Sequence, residues 1–245
     1  MPTAIRQFVS ANRAGGHQCF RIGRASYGFQ FHLEADRDTV AAWLSDRRAR
    51  EWRLAPFDWY NICDMEIRPP NPAPRDRRGR HSRPGLEKFP PPDIMARHFP
   101  PTAERVAILG GDALLLDPEG VPPHWDLRRF GETDVESFLE EIDFVVYFTH
   151  PLWRESFGRA IAEAIAAVKV VITDPATASS FGPAVVASDG TDVDAIIAGF
   201  VADPARYAAF VHAAQDWLAG LAPGPVARHL LSGLDRLGDA PDDRL

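Results

Sequence analysis

Cysteine is scarce in this chain, and long apolar runs are missing. Cys19 and Cys63 are the two cysteines among 245 residues, and neither belongs to a C-x-x-C pair or to a Cys/His cluster at zinc-ligand spacing. A structural metal is therefore not indicated, and buried free thiols are expected. No stretch approaches the roughly 18 apolar residues of a membrane span, and the N-terminal sequence lacks the apolar core of a signal peptide. We expect a cytoplasmic protein without a transmembrane segment.

A strongly basic region is also missing. The formal net charge is -7 and the isoelectric point is near 5.6, which makes nucleic acid an unexpected partner. Hydrophobic residues make up 45% of the chain and charged residues 25%. These proportions are typical of a soluble globular protein.

Proline and arginine are concentrated in one segment. Ten of the 22 prolines fall between Pro69 and Pro101, and six arginines fall between Arg68 and Arg83. Because proline cannot continue a helix or donate to a strand ladder, this segment predicts a boundary. The arginines suit either a solvated linker or, for Arg80 and Arg83, a phosphate contact. We predict an N-terminal region with its linker at 1–75, a domain at 76–237 and an acidic tail at 238–245.

The clearest pattern lies between Asp143 and Thr173. Two short apolar runs, Phe144–Phe148 and Lys169–Thr173, suit buried parallel strands. Between them, apolar residues recur at helical spacing from Phe157 to Val168. The segment therefore predicts a strand, a helix packed on the sheet, and a second strand.

Other segments extend this alternation. Further strands are predicted at Val106–Leu109, Leu127–Phe130 and Ala184–Ala187, and further helices at Val135–Glu141, after a Thr191 cap, at Pro204–Leu218 and at Pro225–Leu237. Alternating strands and helices predict an α/β fold with a Rossmann-like parallel sheet flanked by helices. A short N-terminal region precedes it, with a helix at Asp38–Trp52 and a simple turn at Gly15, Gly16 and Gly23.

The helix after Phe148 begins at the sheet edge where open α/β proteins bind ligands. Its first N–H groups, near Ser156, Phe157 and Gly158, favour an anion such as phosphate. Glu155 precedes the helix, and Glu163 follows eight positions later, roughly two turns in and about 10 Å along the axis. Such carboxylates could hold a polyhydroxylated ligand. Glutamate is equally common in solvated first turns, so spacing alone leaves both interpretations open.

Two ordered motifs carry a family resemblance. The run HPLWRESFGRAIAEAIA ahead of KVVIT resembles the C-terminal, donor-binding domain of GT-B glycosyltransferases of the E-x7-E, group 1 type, and GRHSRPGLEKFP from Gly79 resembles the segment that opens that domain. The resemblance covers roughly Asp58 to Trp217. It implies glycosyl transfer from a nucleotide-sugar donor to a hydroxyl acceptor, without a metal or other cofactor and with retention of configuration.

The resemblance also implies roles for individual residues. Glu163 would bind the ribose hydroxyls of the donor, and Glu155 would lie beside the transferred sugar. Arg80 and Lys88 would neutralise the diphosphate, with Arg83 competing with Arg80 for this role.

Three further residues are candidates. In the family a loop closes over the donor, which makes Phe181 and Gly182 candidates for backbone contact. His150 follows a strand end, where it suits either a catalytic or donor-contacting role, as does Glu155, or a hydrogen bond to the loop backbone.

Two departures from the family stand out. Val168 and Val170 lie where the family usually has glycine and proline, so a different helix-to-strand turn is expected. The N-terminal region is also shorter than a Rossmann-like acceptor domain. This leaves three alternatives: a transferase that works with a separate acceptor-domain chain, a non-catalytic nucleotide-sugar binding module, and a GT-B-like epimerase or hydrolase.

Overall fold

The structure is a computed structural model that describes residues 7–11, 17–22, 26–29, 63, 65–116, 120–153, 155 and 157–238. The chain divides into two compact units. One comprises Met1–Ile62 with Gly224–Leu245, and the other comprises Cys63–Pro223. The predicted helix at 38–52, the glycine turn and the tail from 239 onward lie outside the described residues.

The first unit contains a three-stranded antiparallel sheet. Its strands are β1 (Gln7–Ala11), β2 (His17–Ile22) and β3 (Ser26–Phe29), which pair in chain order. The last helix of the chain, α7 (Pro223–Gly238), lies almost entirely in the same unit.

The second unit is built on a parallel sheet. Its described strands are β4 (Arg77–His81), β5 (Arg105–Leu109), β6 (Trp125–Arg128), β7 (Phe144–Tyr147), β8 (Val170–Thr173) and β9 (Val186–Ala187). They run in the order β6-β5-β4-β7-β8-β9, which is the Rossmann strand order. The predicted α/β class and parallel sheet are confirmed.

Helices cover both faces of this sheet. They are α1 (Pro92–His98), α2 (Val135–Glu140), α3 (Arg159–Ala166), α4 (Pro175–Ala178), α5 (Val193–Ala202) and α6 (Pro204–Ala219), with 3-10 turns at Leu86–Lys88, Gly111–Leu116 and Gly182–Ala184. The core on one face includes Ile161 and Phe181, and the core on the other includes Phe144 and Tyr207.

The strand β4 was not predicted. Its sequence, RRGRH, lies in the arginine-rich segment at the start of the predicted domain, and four of its five residues are buried at the centre of the sheet. Gly79 allows the neighbouring strand β5 to approach closely, because a Cβ there would lie 2.7 Å from the carbonyl oxygen of Ala107. Residues 63–75 also pack on this unit, since Asn71 donates to the Asp143 carboxylate at 2.7 Å. The linker interpretation is therefore wrong from Cys63 onward.

Two local predictions also need correction. The strand predicted at 127–130 lies two residues earlier, and α5 begins at Val193 with Asp192, not Thr191, at its N-cap position.

The turn between α3 and β8 contains a residue with a positive φ. Val168 has a φ of 58°, the left-handed conformation that glycine favours. A valine is therefore accommodated in this turn in a strained backbone conformation.

Candidate functional site

The candidate site lies where β4 and β7 are neighbours in the sheet. The chain passes from β4 toward β5 and β6 on one side, and from β7 toward β8 and β9 on the other. The strand order therefore reverses between β4 and β7, and a crevice opens outside their carboxyl ends. His81 ends β4 and Tyr147 ends β7, so both residues lie at the edge of this crevice.

Glu155 is held by two donors at this edge. Its Oε2 accepts from Lys88 Nζ at 2.6 Å and from the Tyr147 hydroxyl at 2.9 Å. The Lys88 and Glu155 side chains are only 7% and 11% exposed. The sequence motif that contains Lys88 and the motif that contains Glu155 thus meet in one buried ion pair.

Glu163 is held by two other donors. Its Oε2 lies 2.9 Å from His81 Nε2, and its Oε1 accepts from Arg159 Nε at 2.9 Å. Burial alone would raise the pKa of Glu163, but the hydrogen bonds from His81 and Arg159 outweigh it and hold the pKa below its usual value. Glu163 is therefore an ionised carboxylate at neutral pH.

The start of α3 lies between the two glutamates in sequence. Gly158 is its N-cap, with a left-handed φ of 89°, and no side chain caps the first turn. Because α3 begins at Arg159, Glu163 lies about one turn into the helix, roughly 6 Å along its axis, and not two turns as predicted. The uncapped N–H groups favour an anion at this end. Ser156 lies outside the described residues.

Arg80 does not face the crevice. Its guanidinium is 1% exposed and donates to the carbonyl oxygens of Phe148 and Lys88, each at 2.5 Å. It lies over the rings of Phe89 and Tyr147, at 4.6 and 4.9 Å from their centroids. Burial lowers the pKa of Arg80 to about 10, which still leaves it charged at neutral pH. We therefore assign Arg80 a positioning role in place of direct diphosphate contact.

Arg83 and His150 lie on the two loops that flank the crevice. Arg83 is exposed, pairs with Glu87 at 3.0 Å and lies 5.7 Å from the centroid of the Trp153 ring. The backbone N–H of His150 donates to the carbonyl oxygen of Glu87, and its Nδ1 accepts from the backbone N–H of Leu152. His150 therefore hydrogen-bonds the loop backbone, which is one of the two roles predicted for it.

Two predicted donor residues, Phe157 and Phe181, have buried side chains, whereas Gly182 is exposed. Phe157 and Phe181 pack with ring centroids 5.1 Å apart, and Phe181 also packs on Trp217 of α6 at 5.6 Å. A Cβ on Gly182 would have the Trp217 indole as its nearest neighbour, at 3.8 Å. The Phe181 side chain therefore packs on α6, and a backbone contact of this segment with the donor stays a prediction.

His81, Tyr147 and Arg159 hold the two glutamates, and sequence reasoning did not single them out. His81 directly follows Arg80 in the quoted motif, but its role depends on Arg77–His81 being a strand. Tyr147 was assigned only to a buried strand. Its burial raises the pKa of its hydroxyl, so it stays a neutral donor.

Comparison with known proteins gave matches only at the level of structure. No family model matches the chain, and no curated protein matches it in sequence. A structure of TarM aligns over 82% of this chain and 42% of its own, at 15% identity and a TM-score of 0.61. HepE from Anabaena, in complex with UDP and glucose, aligns over 82% of this chain and 62% of its own, at 16% identity and a TM-score of 0.60.

The pneumococcal O-GlcNAc transferase GtfA, solved with UDP and GlcNAc, aligns over 83% of this chain and 44% of its own, at 14% identity and a TM-score of 0.52. This chain has a GT-B type fold. Identities this low establish the fold alone, and this chain spans less than half the length of TarM and GtfA.

Two searches for other features gave negative results. Across the described ranges, no helix is long and apolar enough to cross a membrane. Within the same part of the chain, no three His, Cys, Asp or Glu side chains are grouped so that they could hold a metal ion.

Proposed function

We propose that this chain binds a nucleotide-activated sugar in the crevice at the ends of β4 and β7, and that it serves glycosyl transfer to a hydroxyl acceptor. The observation that carries the proposal is the buried pair between Lys88, on the turn after β4, and Glu155, on the loop that leads into the uncapped start of α3. It combines a cation, a carboxylate and free backbone donors at the switch point of a Rossmann-like sheet.

The diphosphate of the donor fits the cationic part of this arrangement. A lysine ammonium has three donors, and Glu155 accepts from one of them. The remaining donors of Lys88 and the N–H groups at the start of α3 are available to phosphate oxygens. Because negative charge grows on the diphosphate as the sugar leaves, a cation fixed there stabilises the transition state more than the bound donor.

The hydroxyl groups of the donor fit the two carboxylates. Glu155 is assigned to the transferred sugar and Glu163 to the ribose. Ionised carboxylates accept hydrogen bonds from several hydroxyls at once. HepE and GtfA were each solved with UDP, which supports a nucleoside diphosphate as the ligand class. We further propose that transfer needs no metal and retains the configuration of the sugar.

A second candidate is donor binding without transfer by this chain alone. It is favoured because the aligned part of TarM is 42% of that chain, and because a structure of the two-chain GtfA/B complex is also a match, with 45% of its chain aligned. In this case a separate acceptor-domain chain would supply the second substrate.

Isothermal calorimetry with UDP and UDP-glucose tests donor binding. Lys88→Met should weaken both ligands about tenfold to a hundredfold, since it removes a charge-assisted hydrogen bond to phosphate. Uridine, which has no phosphate, should bind the variant and the wild type equally. Lys169→Met is the matched control, because Lys169 is the other lysine of the chain and lies at the opposite edge of the sheet, before β8. Equal UDP affinity in Lys88→Met and wild type would exclude Lys88 from the site.

Release of free UDP from UDP-glucose, with and without a panel of hydroxyl acceptors, separates the two candidates. Acceptor-dependent release that survives EDTA supports metal-free transfer by this chain. Donor binding without acceptor-dependent release supports the binding role. Loss of release in EDTA would contradict the metal-free proposal.

A further inference from the structure

The imidazole of His81 lies at the point where β4 meets Glu163, and it is held very differently from the other partner of that carboxylate. The His81 side chain is 6% exposed, whereas Arg159 is 80% exposed. An exposed ion pair fixes geometry weakly, because solvent competes for both groups and the side chains remain mobile. The orientation of Glu163 therefore depends chiefly on His81.

The protonation of Glu163 determines which nitrogen of His81 carries the hydrogen. Glu163 is ionised and can only accept, so His81 Nε2 must donate across the 2.9 Å contact. The other nitrogen, Nδ1, is buried and has no hydrogen-bond partner among the described residues. The hydroxyl of the next residue, Ser82, is also buried and has no partner in that part of the chain. Buried polar atoms without partners are rare and mark places where a water or a ligand belongs.

The remaining capacity of Glu163 matches a pair of adjacent hydroxyls. Each carboxylate oxygen has about two acceptor sites, and among the described residues each has one donor, His81 on Oε2 and Arg159 on Oε1. Within this part of the chain, one site on each oxygen is left. Two such sites on one carboxylate fit the 2′- and 3′-hydroxyls of a ribose.

We propose that His81 is a positioning residue that sets the preference of this site for ribonucleotides over 2′-deoxyribonucleotides. The proposal rests on the nucleotide-sugar binding proposed above. His81 fixes the Glu163 carboxylate so that both free acceptor sites reach the vicinal diol together. Without the hydrogen bond from His81, the Glu163 carboxylate moves with the exposed Arg159 side chain. It then accepts a well-aligned hydrogen bond from at most one of the two hydroxyls.

Calorimetry with UDP and 2′-deoxy-UDP, and with the GDP and ADP pairs, tests this assignment. Wild type should bind the ribonucleotide at least about tenfold more tightly, since the deoxy form leaves a charged acceptor unpaired. His81→Phe keeps a ring of similar size beside Phe138, whose centroid is 6.0 Å away, but it cannot donate. In this variant the preference should fall to about twofold or less. His81→Gln, which retains an N–H donor, should recover part of it.

Arg159→Met is the matched control, because it removes the exposed partner of the same carboxylate. It should keep most of the ribose preference. A preference that survives in His81→Phe, or that is lost equally in Arg159→Met, overturns the assignment. Absence of any ribose preference in wild type overturns it as well, while nucleotide binding itself stands. If wild type binds none of the three nucleoside diphosphates, the proposed function fails first.

A measurement on unmodified protein covers the case in which His81→Phe does not fold. The imidazole 15N resonances of His81 should shift on saturation with the ribonucleotide and shift much less with its 2′-deoxy form. Equal shifts with both ligands would overturn the proposal.

Discussion

The strands β4 and β7 are neighbours at the centre of the parallel sheet, yet their compositions are opposite. β7 reads FVVY and β4 reads RRGRH, and all of their residues except Arg77 are buried. β7 is stabilised by apolar surface removed from water, whereas every buried guanidinium of β4 requires an acceptor. The difference teaches that the side chains of a buried central strand need not be apolar when charged groups such as these guanidiniums have acceptors.

Several acceptors for β4 come from distant parts of the chain. Arg77 pairs with Asp143, Arg78 pairs with Asp194 as well as with the nearby Asp76, and Arg80 donates to the carbonyl oxygens of Phe148 and Lys88. The same strand ends at the candidate site. The contacts that stabilise β4 therefore also position the loop that contains Lys88, whereas β7 contributes to the site mainly through Tyr147 and the loop that follows.

Removal of the acceptor at Asp143 should have the largest effect. Its carboxylate is fully buried and accepts from the Arg77 guanidinium, from Asn71 and from the backbone N–H of Arg75. Asp143→Ala leaves these donors unpaired and should lower the free energy of unfolding by about 3–5 kcal/mol. Urea denaturation measures this loss.

Val146→Ala in β7 is the counterpart of that change. It removes two methyl groups from a fully buried site and should cost about 2 kcal/mol. If Asp143→Ala costs no more than Val146→Ala, then β4 does not depend on its acceptor in the way argued here.

Gly79 tests the contact of β4 with its surroundings. A Cβ at this position would lie 2.7 Å from the carbonyl oxygen of Ala107 and 2.8 Å from Ile142 Cδ1. Gly79→Ala should therefore lower the free energy of unfolding by about 1–3 kcal/mol, through displacement of β5 or of Ile142. Gly224→Ala is the control for an added methyl group without a close contact, because a Cβ there would lie 3.6 Å from its nearest neighbour, Arg228 Nη1, and the φ of Gly224 is not in the positive region. A neutral Gly79→Ala would show that β4 and β5 separate easily.

The contrast between the two strands also explains which elements could be predicted. β5, β7 and β8 were found to within about one residue, because each is a short apolar run between polar segments. β4 was missed because RRGRH contains no apolar side chain. Its burial depends on Asp143, which lies 66 residues from Arg77. A contact between residues so far apart in the sequence leaves no local sequence pattern.

The residues of the candidate site could also be predicted in part. The motifs named Lys88, Glu155 and Glu163, and the structure brings all three to the ends of β4 and β7. The burial of Arg80 and the packing of Phe181 on α6 followed from tertiary contacts that the sequence does not show.

The ammonium group of Lys169 is buried, and the Arg77–Asp143 ion pair acts on it electrostatically. Burial lowers its pKa to about 8, from 10.5, with opposing effects from Asp143 and Arg77. Between these two values the unfolded chain binds more protons than the folded chain, so this group makes stability rise with pH. Below pH 8 the buried charge costs its full penalty. Lys169→Met should therefore raise the free energy of unfolding at pH 7 by about 1–2 kcal/mol.

The pH dependence distinguishes this effect from a simple gain in apolar packing. The stability difference between Lys169→Met and wild type should shrink between pH 8 and pH 10.5, as the wild-type lysine loses its proton. Urea denaturation at pH 7 and pH 10 measures it. A difference of the same size at both values would assign the gain to packing alone.

Val168 tests the turn that leads into β8, where the expected effect is smallest. Its carbonyl oxygen accepts from the Tyr207 hydroxyl at 2.7 Å, its side chain is buried, and its φ is 58°. A Cβ in this conformation costs roughly 1–2 kcal/mol, and glycine avoids that cost. Val168→Ala loses apolar burial and keeps the strain, whereas Val168→Gly loses one further carbon and relieves the strain. The glycine variant should therefore be more stable than the alanine variant by about 1 kcal/mol.

This order of stability, glycine above alanine, is the reverse of the usual one. Even a small difference between the two variants is therefore informative. In an ordinary strand, glycine is less stable than alanine by roughly 0.5–1 kcal/mol because the unfolded chain gains freedom. The same pair of substitutions at Val146 in β7, whose φ is not in the positive region, should show that ordinary order. Thermal unfolding of the four variants gives both comparisons. If alanine is the more stable residue at both positions, the left-handed backbone at Val168 carries no strain that glycine relieves.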